Sequence, residues 1–155
     1  QTVAGLEAPY QFKKLRMCPQ GESFIPGTLP RAVLFDHKHD RDQIEFWLSR
    51  LGLESDWYER ELDGRGKSVS GGEARRLSLL RILNRPGDYN LFDEPTSGLD
   101  KALASQTWDI LFEAFKGRSL ICVTHDQEAL SRFDRVIWVE DGRVTALKGP
   151  QQIPE

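Results

Sequence analysis

Residues 68–100, SVSGGEARRLSLLRILNRPGDYNLFDEPTSGLD, contain the most informative pattern of this chain. Gly71-Gly72 stands just before a run that is apolar nearly all round, which predicts a largely buried helix over residues 73–84. Pro86-Gly87 ends this helix, and a short strand over residues 89–92 then leads to two carboxylates. A buried helix followed by a strand with an acidic end is typical of an α/β protein with a ligand crevice.

The rest of the chain alternates between short apolar strands and helical patterns. Strands are predicted at residues 15–18, 120–124 and 136–139, and helices are predicted near residues 102–115 and 127–131. This alternation predicts an α/β fold with a mostly parallel sheet. The continuous apolar run of the strand before His125 further predicts a strand that is buried on both faces of the sheet.

Two further segments complete the predicted architecture. Apolar residues at helical spacing predict a helix that starts near Asp40 and ends at Gly52, and a second short helix is predicted around residues 55–62. Residues 31–67 are therefore interpreted as a helical subdomain that interrupts the sheet. Asp141-Gly142 is a strong two-residue turn signal and predicts a C-terminal hairpin as an antiparallel end of the sheet.

The composition is that of an ordinary globular domain. The chain has 155 residues, of which 39% are hydrophobic and 29% charged, and its formal net charge is -3. The acidic balance argues against nucleic acid as a partner, and no apolar run reaches transmembrane length. Cys18 and Cys122 lie far apart in apolar surroundings, which favours buried free thiols in a reducing compartment.

The glycine pair allows a structural and a chemical interpretation. Ser70 and Glu73 have the spacing of a capping box, in which each side chain bonds the backbone of the other. The same geometry suits a phosphate group, because Gly71 and Gly72 let it approach the backbone and a helix N-terminus offers free N–H groups. Taken alone, the motif favours the capping role.

Asp93, Glu94 and His125 each follow a predicted strand. The carboxyl ends of parallel strands face the ligand crevice, where Asp93 can hold Mg²⁺ and Glu94 can polarise an attacking water. His125 would point into the same crevice and could donate to a phosphate oxygen. A solvated acidic loop and a structural histidine are the alternatives, and each residue taken singly favours them.

In combination, these motifs resemble the ATP-binding cassette (ABC) ATPase family. VSGGE at residues 69–73 resembles the signature motif of the family, and LFDEPTSGLD at residues 91–100 resembles its Walker B strand, catalytic glutamate and D-loop. VTHD at residues 123–126 resembles the segment with the switch histidine, and Gln20 resembles the Q-loop glutamine. The resemblance covers nearly the whole chain and implies a sheet like that of the P-loop NTPases.

The departures inside these motifs are small. Val69 stands where leucine is commonest in the family, and Glu73 stands where glutamine is commonest. Asn90 places a polar residue within the strand that resembles Walker B.

The resemblance implies ATP and Mg²⁺ as cofactors and ATP hydrolysis as the reaction of the parent domain. Glu94 and His125 would be the catalytic residues, and Asp93 and Gln20 would hold the metal. The nucleotide would be contacted by Gln20, Ser70, Gly71, Gly72, Glu73 and Asp100.

The resemblance also implies partners. Two cassettes of this family pair head to tail, and the signature motif of one closes over ATP held by the other, so the partner would be a second cassette, identical or different. SFIPGTLPRAVLF at residues 23–35 resembles the segment of exporter-type cassettes that faces the membrane domain. A transmembrane partner or fused domain, at the cytoplasmic face of the cell membrane, is therefore expected.

A phosphate loop of the form Gly-x-x-x-x-Gly-Lys-Ser/Thr is missing from these residues. Lys67-Ser68 follows Gly66, but the first glycine of such a loop would fall at Glu61. The resemblance places the true loop before Gln1, so residues 1–155 are interpreted as a partial cassette that lacks its N-terminal part. Within it, residues 68–155 would form the signature helix and the α/β core.

Two other functions are compatible with these residues. A non-transport ABC ATPase, of the DNA-repair or translation type, would share the motifs but lack the membrane-facing segment. A non-catalytic interaction module would be a truncated cassette that pairs with a complete one. The apolar residues 24–35 and the modest size of the helical insert favour transport.

We predict that the 155-residue chain alone neither hydrolyses ATP nor binds Mg-ATP tightly, because it contains no phosphate loop. Titration calorimetry of the purified chain with Mg-ATP measures this. Micromolar affinity would contradict the prediction and would bring Lys67 back as a phosphate ligand.

Overall fold

The computed structural model describes residues 14–21, 24–63 and 69–148 of the chain. The chain divides into two compact units, residues 1–123 and 124–155. The first unit contains a parallel sheet with helices, and the second contains a short helix and a hairpin. The predicted mixed α/β class is confirmed.

A three-stranded parallel sheet forms the centre of the first unit. Its strands are β1 (Leu15–Cys18), β2 (Tyr89–Asp93) and β3 (Ser119–Val123), and they lie in the order β1-β2-β3. Each strand lies where its apolar run predicts it. The middle strand, β2, is hydrogen-bonded on both sides, so the residues that follow it are held at the centre of the sheet edge.

Phe92 lies on the buried face of β2. It is paired with Cys18 on one side and with Cys122 on the other, and its ring meets that of Phe115 with centroids 5.4 Å apart. Neither Cys18 nor Cys122 forms a disulfide, and Cys18 is buried as predicted, whereas Cys122 is only half-buried. Burial raises the pKa of the Cys122 thiol to about 12, so this thiol stays protonated and unreactive at neutral pH.

The opposite face of the sheet is more open than the sequence predicts. Leu15, Met17, Ile121 and Val123 are between 47% and 58% exposed. The apolar run at residues 120–124 predicts burial on both faces, and this expectation is wrong for the described residues. Alternate side chains of β3 are exposed, because the covering contacts of the described sheet lie on the Phe92 face.

Two long helices pack in the first unit. α3 (Gly71–Asn84) starts at the N-cap residue Ser70 and buries side chains on every side, as its apolar pattern predicts. α4 (Lys101–Ala114) starts at Asp100 and buries Trp108, Ile110 and Leu111 among other residues. α3 packs against β1. The first turn of α3 and the carboxyl edge of the sheet therefore both belong to the first unit.

Between β1 and α3, the described residues 24–63 contain helical elements, as predicted. Asp40 caps its main helix by accepting a hydrogen bond from the Asp42 N–H at 3.0 Å, and Gly52 follows the helix with a left-handed φ of 66°. The proposed subdomain bounds, residues 31–67, stay a prediction, since the first unit includes both this segment and the sheet. The helical elements are α1 (Leu29–Ala32), α2 (Arg41–Arg50) and a 3₁₀ turn (Ser55–Tyr58).

The second unit contains α5 (Gln127–Leu130) and the antiparallel strands β4 (Val136–Glu140) and β5 (Arg143–Lys148). Asp141 and Gly142 have φ angles of 49° and 72°, the left-handed values of a tight hairpin turn. The hairpin forms a two-stranded sheet of its own, rather than the predicted end of the parallel sheet, because β4 pairs locally with β5. Within the described ranges, no helix has the length and apolar character that a membrane span requires.

Asn90, the polar residue of β2, is fully buried and has a structural role. Its Oδ1 accepts from the Gly87 N–H at 2.8 Å, and its Nδ2 donates to the carbonyls of Gly87 and Ser119 at 3.1 and 3.2 Å. Gly87 leaves no room for a side chain, since an added Cβ would lie 2.6 Å from the Lys14 carbonyl oxygen. Asn90 therefore closes the turn before β2 and joins it to the start of β3.

Replacement of Asn90 by alanine should destabilise the protein by about 1–3 kcal/mol, because it leaves buried backbone groups of the turn without their partner. Urea unfolding followed by circular dichroism measures the change. Asn84→Ala, at a half-buried asparagine of α3, is the matched control and should cost about 0.5 kcal/mol or less. Equal losses from the two substitutions would contradict the role assigned to Asn90.

Candidate functional site

Of the two predicted metal residues, Asp93 is the last residue of β2, and Gln20 follows the neighbouring parallel strand β1. Because Cys18 pairs with Phe92, Gln20 and Asp93 both emerge at the carboxyl edge of the sheet. Gln20 is exposed and Asp93 is half-buried. An amide oxygen and a carboxylate are hard oxygen donors of the kind that Mg²⁺ binds, and Mg²⁺ usually keeps several waters beside one or two carboxylates. These two residues therefore fit the ion that the sequence predicts.

Glu94 stands where the chain leaves the sheet. Its N–H donates to the Val123 carbonyl at 2.8 Å, and its own carbonyl accepts from the Ser97 N–H at 3.1 Å, which closes a turn. Its φ angle is 50°, a left-handed value that costs a residue with a side chain of order 1–3 kcal/mol. Such strained residues concentrate at functional sites, and one oxygen of the Glu94 carboxyl group, Oε1, is buried.

The predicted capping box is present at the start of α3. The Ser70 Oγ accepts from the Glu73 N–H at 3.3 Å, and the Glu73 Oε2 accepts from the Ser70 N–H at 2.7 Å. The hydrogen bond from the Ser70 backbone lowers the pKa of the Glu73 carboxyl group, with a further contribution from the Ser70 side chain. The first turn of α3 is therefore held in one conformation by its own side chains.

Gly71 and Gly72 are not required by the packing of the chain itself. An added Cβ at Gly71 would meet nothing within 4 Å. At Gly72 it would meet Leu99 Cδ2 at 3.4 Å and the Gly98 carbonyl oxygen at 3.7 Å, which are ordinary contacts. Neither glycine has a left-handed φ. Glycine at both positions is better explained by the close approach of a group from outside.

The loop before α4 lies beside this turn, because Gly72 faces residues 98–99. Asp100 ends that loop as the N-cap of α4, and its Oδ1 accepts from the Leu103 N–H at 3.0 Å. Its exposed carboxylate therefore has a structural role in addition to the nucleotide contact that the sequence predicts. The structure thus brings Ser70, Gly72 and Asp100 into one neighbourhood of the first unit.

His125 belongs to the second unit. There, the Asp126 N–H donates to Thr124 Oγ1 at 3.0 Å, and Asp126 caps α5 by accepting from the Glu128 N–H at 3.1 Å. The catalytic role of His125 stays a prediction from the sequence. Lys67-Ser68, the pair that precedes the signature motif, lies outside the described residues.

Two residues of α3 that contact the site are not identified by the sequence motifs. Arg75 is 4% exposed and donates to the carbonyls of Pro19 and Gln20. Arg76 donates to the Gly72 carbonyl at 3.1 Å and also contacts the end of α2. The sequence offers one signal for Arg75, namely a cation within a helix that is predicted to be largely buried. A buried cation needs specific hydrogen-bond partners, so such a residue is expected to hold another part of the chain.

A family model described as ABC transporter matches residues 3–97 of the chain. The Glutathione/L-cysteine transport system ATP-binding/permease protein CydC of Escherichia coli (strain K12) is 31% identical over 147 residues, covering 92% of this chain and 26% of that protein. The Macrolide export ATP-binding/permease protein MacB of Shewanella oneidensis is 38% identical over 108 residues, covering 69% of this chain and 16% of that protein.

The solved structure of a bacterial Atm1-family ABC exporter with ATP bound has the same fold, with a TM-score of 0.79 at 21% sequence identity. The match covers 88% of this chain and 25% of that chain. The chain therefore spans about a quarter or less of the length of the relatives it matches.

Replacement of Glu73 by glutamine tests the capping box through its pH dependence. Because the carboxyl pKa is lowered on folding, the stabilisation by Glu73 is fully present above the ordinary pKa of 4.5 and is lost as the pH falls through the lowered value. Glu73→Gln should therefore lower the free energy of unfolding by about 0.5 kcal/mol at pH 7. The gap should shrink on acidification below pH 4.5.

Melting curves of parent and variant between pH 7 and pH 3 measure this gap. Glu61→Gln, at an exposed position outside the helices, is the control for loss of a charge alone. A gap that stays constant or widens at low pH would show that the carboxylate is not what closes the box.

Proposed function

The chain belongs to the ABC transporter family, and on this basis we propose that it supplies part of an ATP-hydrolysing site between two cassettes that drives transport across a membrane. ATP bound with Mg²⁺ would supply the terminal phosphoanhydride bond, and its cleavage by water would release the energy for transport. The residues of this chain would bind the nucleotide and the metal, and they would orient and polarise the attacking water. The chain contributes two sets of residues, one to its own site and one to the site of its partner.

One observation carries the proposal: the turn at Ser70 is closed by a capping box, is exposed at Ser70 and Gly71, and contains two glycines that the chain's own packing does not need. The first N–H groups of a helix and the positive end of its dipole attract an anion, and α3 has 14 residues. The glycines let a phosphate group come within hydrogen-bonding distance of the backbone. We assign this turn, together with Asp100, to the nucleotide held by the partner cassette.

The other set consists of Gln20, Asp93 and Glu94 at the carboxyl edge of the sheet, and of His125, whose role rests on the sequence motif alone. Asp93 and Gln20 would hold Mg²⁺, and Glu94 would orient the water that attacks the terminal phosphate. His125 would donate to an oxygen of that phosphate. The parallel register of β1 and β2, which brings Gln20 and Asp93 to one edge, supports this assignment, as does the strained backbone of Glu94.

A second cassette and a transmembrane partner or fused domain complete the proposed assembly, at the cytoplasmic face of the cell membrane. The relatives CydC and MacB are named as transport or export proteins with ATP-binding and permease parts, which supports transport over the DNA-repair and translation classes. The same proposal includes the expectation that the 155-residue chain alone does not hydrolyse ATP.

Ser70→Asp in the complete protein separates the structural role of this turn from its proposed contact with phosphate. Aspartate caps helices as well as serine does, and Asp40, Asp100 and Asp126 cap helices of this same chain. Folding should therefore be preserved, whereas the new negative charge would face the phosphate of the partner's ATP. We expect the ATPase rate to fall by at least about 100-fold, as when an active-site donor is lost.

Ser70→Asn is the matched control, because asparagine also caps helices but carries no charge. Both variants should melt close to the parent temperature, and the asparagine variant should retain far more activity and ATP-dependent cassette association. A Ser70→Asp protein that is stable and as active as the parent would refute the proposed phosphate contact.

A further inference from the structure

Arg75 is a buried cation with a specific set of contacts. Its side chain is 4% exposed, although it lies only two positions beyond the capping-box glutamate of α3. Nη1 donates to the Pro19 carbonyl at 3.1 Å, and Nη2 donates to the Gln20 carbonyl. The guanidinium group therefore holds two consecutive carbonyls, at the point where the chain leaves β1.

These contacts are more specific than packing requires. A buried cation is costly unless its hydrogen bonds are satisfied, and an apolar side chain of the same length could fill the space without that cost. Charge-assisted hydrogen bonds are roughly twice as strong as neutral ones, and the planar guanidinium group fixes both direction and distance. Arg75 thus holds the backbone of Gln20 in one position relative to α3.

The same helix carries the turn at Ser70, which the proposed function places against the partner's nucleotide. One rigid element consequently holds both the exposed Gln20 at the edge of the sheet and the phosphate-facing turn. Two other arginines of α3 hold other segments: Arg76 donates to the Leu51 and Gly52 carbonyls, and Arg81 donates to the Val33 carbonyl at 2.8 Å.

We propose that Arg75 is a positioning residue, which fixes the backbone of Gln20 and thereby couples the metal-binding edge of the site to the signature turn of α3. This inference rests on the proposed function. The side-chain amide of Gln20 reaches the metal only if its backbone is held, so loss of Arg75 should weaken the response to Mg²⁺. Partners that orient a metal ligand are typically worth about 10–100-fold in metal affinity or activity.

The test compares Arg75→Met with Arg81→Met in the complete protein. Methionine keeps an apolar chain of similar length but removes the donors, and Arg81 is a matched control on the same helix that holds a segment outside the site. Without nucleotide, hydrogen exchange of the Gln20 and Gly21 amides should be at least about 10-fold faster in Arg75→Met than in the parent or the control. The Mg²⁺ concentration for half-maximal ATPase activity should rise by about 10-fold in Arg75→Met alone.

A double variant with Gln20→Ala tests whether Arg75 acts through Gln20. If it does, the double variant should have the same Mg²⁺ dependence as Gln20→Ala alone. Arg75→Lys, which keeps the charge but loses the fork, should lie between the parent and Arg75→Met, and it carries the same test if the methionine variant does not fold.

Three results would overturn the inference. A normal Mg²⁺ response in Arg75→Met beside an altered one in Gln20→Ala would refute the role of Arg75 and leave the proposed function standing. Equal effects of Arg75→Met and Arg81→Met would show that Arg75 is merely structural. An unchanged Mg²⁺ response in Gln20→Ala would remove the metal assignment of Gln20 and the coupling with it.

Discussion

The arrangement of the first unit depends on one kind of interaction: arginine side chains of α3 donate hydrogen bonds to main-chain carbonyls of other segments. Arg75, Arg76 and Arg81 reach three segments that are distant in sequence: the end of β1, the end of α2 and the segment after α1. Carbonyls at the ends of strands and helices have lost their regular partners and need others. The arginines of α3 supply these hydrogen-bond donors, so one buried helix holds three separate segments of the chain together.

The parallel register of the sheet then determines which side chains meet. Pairing of β1 with β2 brings the residues after each strand to a common edge, so Gln20 and the Asp93-Glu94 pair become neighbours although some 70 residues separate them. Asn90 stabilises the other end of the same strand by closing the turn at Gly87. A polar contact at one end of β2 thus helps to hold the strand whose other end carries the candidate site.

Helix capping stabilises the helices of this chain, and at one helix it also prepares a surface that can bind an anion. The N-cap side chains Asp40, Ser70, Asp100 and Asp126 each satisfy an N–H group in the first turn of a helix. Only the turn at Ser70 adds two glycines that leave the backbone accessible from outside. The same local structure that stabilises a helix therefore becomes, with no further change of conformation, a surface on which an anion can be bound.

Local patterns were sufficient to predict β1, α3 with its capping box at Ser70 and the hairpin turn at Asp141-Gly142, because neighbouring residues determine periodicity, capping and turn geometry. The motifs also identified the candidate site residues of the chain. The exposed face of β3 was not predictable, since an apolar run does not show whether another element packs against it. The separate hairpin sheet was not predictable either, since a turn signal shows that two strands pair but not which sheet they join. The contacts of Asn90 and Arg75 likewise join residues far apart in sequence, and only the folded chain brings a buried donor to the carbonyl that it satisfies.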